Sequence, residues 1–340
     1  MTVIGIDTHK RTLAACAVDA IGAVRDERTF QCAPEGLHEL AAWARAIGPD
    51  RIGVEGSASY GAPVARHLLA AGFEVREVPP QLSRRERGRT RRPGKSDPGD
   101  ALAIARVTLR EHDLPPVRVD DRTEELSLLA DARDELVVAQ TQARNRLHAH
   151  LVVLLPGYAR TAAHLVTRRQ LTAIEAALAP LAGTRAELSR DLLADVREHG
   201  RRADELKRRI VAIVAGHPVL RLPGVGALTA ARLIAEAGDT RRFRSPDAFA
   251  MLAGVAPIPA SSGESRRMRL NRGGNRRLNR ALFTIALVQA WHHPPARAYI
   301  IRKREQGKSW AEAIRCLKHR ISRAVFRLLQ AGQSDWALTA

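Results

Sequence analysis

Short apolar runs set between polar turns open the chain. Val3–Asp7 and Leu13–Val18 predict two strands, and Val24–Gln31 predicts a third. Pro34–Ile47 carries Leu37, Leu40, Ala41 and Ala44 at three- and four-residue spacing, the period of a helix with one buried face. Arg51–Glu55 then predicts a strand, Tyr60–Ala71 a helix and Phe73–Val78 another strand. Adjacent strands followed by a β-α-β pattern predict a mixed sheet with helices on its faces. Residues 82–96, LSRRERGRTRRPGKS, have no apolar period and predict a basic loop, after which a helix begins near Asp97.

The pattern then changes. Leu126, Leu129, Leu136, Ala143, Leu147 and Leu154 recur at helical spacing through 121–154, with Arg133 and Gln140 on the same seam. A second such stretch, 184–215, carries Leu188, Leu192, Val196, Leu206, Ile210 and Ile213. The pair predicts two long amphipathic helices, arranged as an antiparallel coiled coil. Pro156-Gly157 and Pro180 break the chain between them. From 216 onward the spacing is helical again, with helices expected around 275–290 and 309–330, a loop at His292-His293, and Trp291 and Trp310 in the core. The expected division is an α/β domain over 1–112, long helices over 113–215 and a mostly α-helical C-terminal domain over 216–340.

Composition narrows what such a chain does. Its 340 residues allow about two domains at roughly 150 residues each, and 45% hydrophobic content excludes wholesale disorder. No apolar run approaches the ~18 residues of a membrane span, and MTVIGIDTHK reads as a strand, not a signal peptide. Cys16, Cys32 and Cys316 lie far apart with no CxxC, which excludes a disulfide scaffold or a cysteine zinc site and fits a reducing cytoplasm. The net charge is +19, which attracts polyanions, nucleic acid foremost. A GC-rich genome accounts for arginine outnumbering lysine 49 to 6, but not for the excess of base over acid. Aromatics are only 4%, so base-stacking platforms are not indicated.

Four acids stand at positions suited to chemistry. Asp7 and Glu55 end predicted strands, and Asp97 and Asp100 share a face at a helix start. Each alone has a structural reading: Asp7 caps a turn, Glu55 is a solvated strand end, and Asp97-Pro98-Gly99-Asp100 is good helix-start chemistry. Four converging carboxylates repel one another unless a cation neutralises them, and hard oxygen donors suit Mg²⁺ or Mn²⁺. Two such ions about 4 Å apart activate the attacking oxygen and stabilise the leaving oxygen of a phosphoryl transfer. His9 follows Asp7 closely, within reach of such a site or in an ordinary turn.

GIDTHK around Asp7, GVEGS around Glu55 and GKSDPGDA around Asp97 and Asp100 resemble the N-terminal domain of the DEDD-type insertion-sequence transposases. That group includes the Piv-like DNA invertases and the bridge-RNA-guided recombinases. The resemblance implies a RuvC-like, RNase H-type α/β domain whose metal-binding and catalytic acids are these four. Ser96 stands where a threonine is also common, and it touches no acidic position.

The second half resembles the same family. LPGVGALTAARLI at 222–234 looks like a helix-hairpin-helix, in which Gly224 and Gly226 let a phosphate approach the free amides of a helix start. On chemistry alone, the serines near Gly263 belong to a basic Ser/Gly linker. The order Gly-x-x-Pro, Ser-Gly, a basic run and Gly-Asn-Arg-Arg-Leu resembles the family's transposase domain, where one serine becomes linked to DNA. The match falls on Ser262, with Ser261 next and Ser265 a weaker candidate. Arg266, Arg267, Arg272, Arg276 and Arg277 are expected to hold phosphates, as are Arg84, Arg85, Arg87, Arg89, Arg91, Arg92 and Lys95 in the basic loop.

The resemblance therefore implies a transposase or site-specific DNA recombinase. It acts on double-stranded DNA through a serine–DNA intermediate, with a structured guide RNA encoded by the element. The long helices suggest a homo-oligomer. The absence of a GxxxxGK[ST] loop fits a reaction that needs no ATP. A Holliday-junction resolvase or RNase H-type nuclease would use the same acids with water and leave the Ser-Gly segment without a task. A non-catalytic nucleic-acid-binding protein would leave all four acids incidental.

Overall fold

The computed structural model describes residues 1–57, 59–88, 97–117, 121–260, 268–269, 271 and 273–337, and only the backbone of 97, 98, 121, 161 and 334–337. Two compact units make up the chain, Met1–Val119 and Asp120–Ala340.

In the first unit, β1 (Val3–Thr8), β2 (Thr12–Val18) and β3 (Val24–Gln31) form an antiparallel meander. After α1 (Pro34–Ile47), β4 (Arg51–Val54) pairs parallel with β1; after α2 (Ala62–Ala70), β5 (Val75–Glu77) pairs parallel with β4. The sheet order is β3-β2-β1-β4-β5, the arrangement of an RNase H-like domain. Then come α3 (Pro80–Arg87) and α4 (Asp97–Arg110).

Strand alternation sorts the side chains onto two faces. Ile4, Ile6, Leu13, Ala15, Ile52 and Val54 pack with Leu40, Trp43 and Leu68 of α1 and α2. Val3, Ala14, Cys16 and Val18 pack on the other face with Ala101 and Ala105 of α4. Both faces are covered, which is why β1 and β2 read as unbroken apolar runs. Burial raises the Cys16 thiol to about 11, so it behaves as a core residue.

The α4 helix lies directly on the strands because Gly5 and Gly53 have no side chain there. A Cβ at Gly5 would collide with the backbone of Ala101 and Ala105, and one at Gly53 with the Thr108 side chain. Gly5→Ala is expected to cost about 1–3 kcal/mol by overpacking. That lowers the melting midpoint of the first unit by roughly 5–15 °C. An unchanged midpoint would contradict this packing.

The loop expected over 82–96 begins as a helix instead. The inward positions of α3 are Leu82, Ser83, Glu86 and Arg87, mostly polar, so they leave no apolar period. They are held by polar contacts: Arg110 Nη1 donates to Glu86 Oε2 at 2.5 Å.

The second unit is largely helical. It contains α5 (Asp121–Leu154), α6 (Ala159–Ala162), α7 (Arg168–Leu178), α8 (Thr184–Val214), α9 (Ala227–Ala237) and α10 (Pro246–Leu252). A two-stranded hairpin follows, β6 (Ile258–Pro259) against β7 (Met268–Arg269), and then α11 (Arg276–His292), α12 (Pro294–Glu305) and α13 (Trp310–Ala337). The long helices α5 and α8 run antiparallel: Arg209 pairs with Glu125 at 3.1 Å, and Gln140 Nε2 donates to the Val196 carbonyl at 2.9 Å. At one end Ala143, Leu147, Leu151, Leu193 and Val196 share a core with α6 and α7. At the other, Leu126, Leu129, Ile210 and Val214 join the core of α9 to α13. One end of the α5–α8 pair thus packs with the C-terminal helices, and its other end belongs to a separate core.

Two expectations differ here. On α8, Val196 and Ile210 are buried and Leu192, Leu206 and Ile213 pack against the cores as expected, but Leu188 is exposed and Leu193 takes a buried place instead. Trp291 and Trp310 are 71% and 45% exposed; Phe243, Phe249 and Phe326 supply the aromatic core, with ring centroids 5.5–6.2 Å apart. His292 ends α11 and His293 is the short link to α12, whose first position Pro294 takes, where its missing N–H costs nothing.

Candidate active site

Alternation along β1 places Val3 and Gly5 on the α4 side, and Asp7 follows on that face two residues on. Along β4 Gly53 faces α4, and Glu55 follows it just past the strand end. Since Ile6 registers with Val54, the two acids end neighbouring parallel strands side by side. Asp100 precedes the Ala101 that Gly5 admits. The register thus sets Asp7 and Glu55 at the same end of neighbouring strands, and Asp100 lies at the start of the helix packed on that face.

Each of these carboxylates meets a partner from its own unit. Asp7 Oδ2 lies 3.1 Å from His9 Nε2, with the Asp7 side chain 13% exposed. Ser83 Oγ donates to Glu55 Oε2 at 2.5 Å. Asp100, 7% exposed, accepts from Arg87 Nη1 at 3.0 Å. Behind Glu55, the amides of Gly56 and Ser57 donate to Glu77 at 3.3 and 3.0 Å and set the turn. Asp97 is the first residue of α4, and its side chain lies outside the described residues. Among the described residues no group of three or more His, Cys, Asp or Glu is gathered to hold a metal ion. In chemistry the donors suit a hard divalent cation, being carboxylate oxygens with no sulfur among them.

Sequence reasoning missed Ser83, Arg87 and Glu77 as neighbours of these acids. The signal for the first two was present: Ser83 and Arg87 are four residues apart, one face of a helix turn.

The expected nucleic-acid contacts divide. Arg84 and Arg85 are exposed on α3, while Arg87 turns inward to Asp100. Arg89, Arg91, Arg92 and Lys95 lie outside the described residues, as do Ser261, Ser262, Ser265, Arg266, Arg267 and Arg272. Gly224 has φ +85° and sits 3.2 Å from the Ile285 carbonyl by its would-be Cβ, so a side chain there is strained and crowded. Gly226 precedes α9, and no side chain caps the helix amides. The element before it is a 3₁₀ turn, Pro218–Arg221.

In sequence the Ser-Gly segment falls between β6 and β7, and the chain after β7 is held by several hydrogen bonds. Asn271 Nδ2 donates to the Met251 carbonyl at 2.9 Å, and the Asn275 amide to the Leu252 carbonyl at 2.6 Å. Asn279 Nδ2 donates to the Ala253 carbonyl at 2.9 Å. Asn275 also caps α11 through the Leu278 amide and donates to Glu236 at 2.7 Å. Arg276 is exposed, whereas Arg277 pairs with Asp131 at 2.9 Å. Arg232, 11% exposed, pairs with Asp131 at 2.6 Å and Asp134 at 2.8 Å. Burial works to raise the Asp131 carboxyl, but Arg232 and Arg277 outweigh it and hold it below the ordinary range.

No helix among the described residues is long and apolar enough to cross a membrane. Residues 4–156 match the DEDD transposase family of IS110 type, described as "Transposase", and residues 216–300 match the "Transposase IS116/IS110/IS902 family". The "Insertion element IS900 uncharacterized 42 kDa protein" of Mycobacterium paratuberculosis is 31% identical over 77% of this chain and 78% of that protein. The "Transposase for insertion sequence element IS1328" of Yersinia enterocolitica is 29% identical over 66% of each. RuvC of Thermus thermophilus, solved with a Holliday junction substrate, aligns with 34% of this chain and 99% of its own at 20% identity and a TM-score of 0.28. That slight likeness adds nothing to the fold, which rests on the strand order. With acids at the expected strand ends and both halves matched, the chain belongs to the IS110-type family of transposases, enzymes that cut and rejoin DNA.

Proposed function

We propose that this transposase uses Asp7, Glu55, Asp97 and Asp100 with Mg²⁺ or Mn²⁺, and Ser262 as the group that joins DNA. The observation that supports the reading is that Asp7 and Glu55 stand at the same end of the neighbouring strands β1 and β4, with Asp100 at the start of the helix packed against Gly5. A bound divalent cation supplies Lewis-acid stabilisation of charge at phosphorus and at the oxygens around it. The four carboxylates hold it there.

Ser262 Oγ attacks a phosphodiester phosphorus of double-stranded DNA. A Ser–O–P bond forms, the P–O3′ bond breaks, the serine proton is lost, and the 3′ oxygen gains one. A 3′-hydroxyl of the exchanged strand then attacks the phosphoserine and restores the serine, so the bond energy is conserved. Gly224, Gly226 and the amides of α9 grip backbone phosphate, which reads no bases. Sequence choice falls to a structured guide RNA from the element, a partner supported by family resemblance and compatible with the +19 charge. The α5–α8 pair acts as an antiparallel coiled coil in a homo-oligomer.

The test is a supercoiled plasmid bearing the element's ends, incubated with protein and with transcript from the flanking non-coding DNA. Cleavage that needs Mg²⁺ or Mn²⁺ and leaves a protease-sensitive protein–DNA adduct is the expected result. Metal-dependent cleavage without an adduct would instead support a resolvase-like nuclease. Binding without cleavage under any metal would make the acids incidental.

A further inference from the structure

The inward face of α3 touches two of the candidate metal-binding acids. Ser83 reaches Glu55, and four residues on, Arg87 reaches Asp100 at 3.0 Å. Between them Glu86 takes Arg110 of α4. The outward face carries Arg84 and Arg85, both exposed. An eight-residue helix thus presents cations on one side and holds carboxylates on the other.

We propose that Arg87 is a positioning residue: it supplies the countercharge on Asp100 before a cation is bound, and gives the carboxylate up to the cation as nucleic acid engages α3. The idea rests on the metal reading above. Asp100 is 7% exposed, and a carboxylate withdrawn from water is held best beside a positive charge. Arg87 provides that charge in a fixed place and keeps the side chain oriented. A divalent cation on the same carboxylate does the same work, so guanidinium and cation compete. The Glu86–Arg110 pair joins α3 to α4 without involving Arg87, so the helix keeps this contact when Arg87 lets go.

Nucleic acid pulls in the opposite sense to Asp100. A backbone lying along Arg84 and Arg85 offers phosphate to Arg87 as well, since guanidinium pairs with phosphate as readily as with carboxylate. Polyanion outside and cation inside then favour the same released state. By linkage each raises the affinity of the other by the same factor.

The measurement is Mn²⁺ affinity of the full chain, read from the free-ion paramagnetic resonance signal, with and without a mixed-sequence DNA duplex. Arg87→Gln is expected to bind Mn²⁺ about tenfold more tightly than wild type without DNA, and Arg87→Lys about as wild type. Duplex is expected to tighten wild type toward the Arg87→Gln value and to leave Arg87→Gln unchanged. The wild-type arm needs no substitution, so the proposal is tested even where Arg87→Gln misfolds. Equal or weaker binding by a folded Arg87→Gln, or a duplex without effect on wild type, overturns it. No Mn²⁺ binding by any form overturns the metal reading itself.

Discussion

Asp7→Ala is expected to lower DNA strand cleavage about a thousandfold while leaving the first unit folded. A Lewis-acidic ion contributes several kcal/mol of transition-state stabilisation, and each ~1.4 kcal/mol is a factor of ten in rate. Asp7 ends the central strand of the sheet, so it is the acid whose position the fold constrains most closely. Its side chain sits at the edge and contributes nothing to the apolar core on either face. Removing one carboxylate from a group of acids also relieves repulsion, so the melting midpoint should move by only a few degrees, well below the shift expected for Gly5→Ala. Plasmid cleavage rates and thermal melts on the same preparations check both halves. Cleavage within about tenfold of wild type would remove Asp7 from the metal site.

The first unit was legible because its sheet is covered on both faces. Val3–Asp7 and Leu13–Val18 are apolar at successive positions for that reason, and β3 and α1 fall where the pattern puts them. The acids were legible as strand ends. What brings the helix of Asp100 onto that face was less so: it depends on Gly5 and Gly53, whose lack of side chains admits α4, and a glycine in a strand reads only as a weak position until the helix above it is known. Helix α3 was missed because it docks by Ser83, Glu86 and Arg87, and a polar interface leaves no hydrophobic period. Arg277 reads as one more phosphate ligand in a basic run. Its pairing with Asp131 joins residues 146 positions apart, which no local pattern encodes. The stripe of α8 was legible through Leu192, Val196, Leu206, Ile210 and Ile213, while Leu188 near the helix start is exposed and Leu193 joins the core beside Leu192.

Ser262→Ala is expected to abolish the protease-sensitive protein–DNA adduct and strand cleavage, while DNA and RNA binding persist. A serine hydroxyl is a weak nucleophile at neutral pH and needs a base or a metal ion to act. In the surrounding sequence only Glu264 is a near acid, and no His or Lys stands beside the serine, so activation has to come from outside the segment. The carboxylate set is the economical source, which ties the adduct to the same divalent-ion dependence as cleavage. Binding should survive because, in the proposed function, arginines and helix amides grip the backbone, and one hydroxyl contributes little to that electrostatic attraction. Ser261→Ala is the control for local disturbance and should retain the adduct. Neither substitution touches Asn271, Asn275 or Asn279, which hold the chain beyond β7, so a difference between the variants reports the hydroxyl itself. If Ser262→Ala still cleaves with metal present, water is the attacking group and the resolvase-like reading replaces this one. If Ser261→Ala alone loses the adduct, the nucleophile is the preceding serine and the covalent mechanism stands.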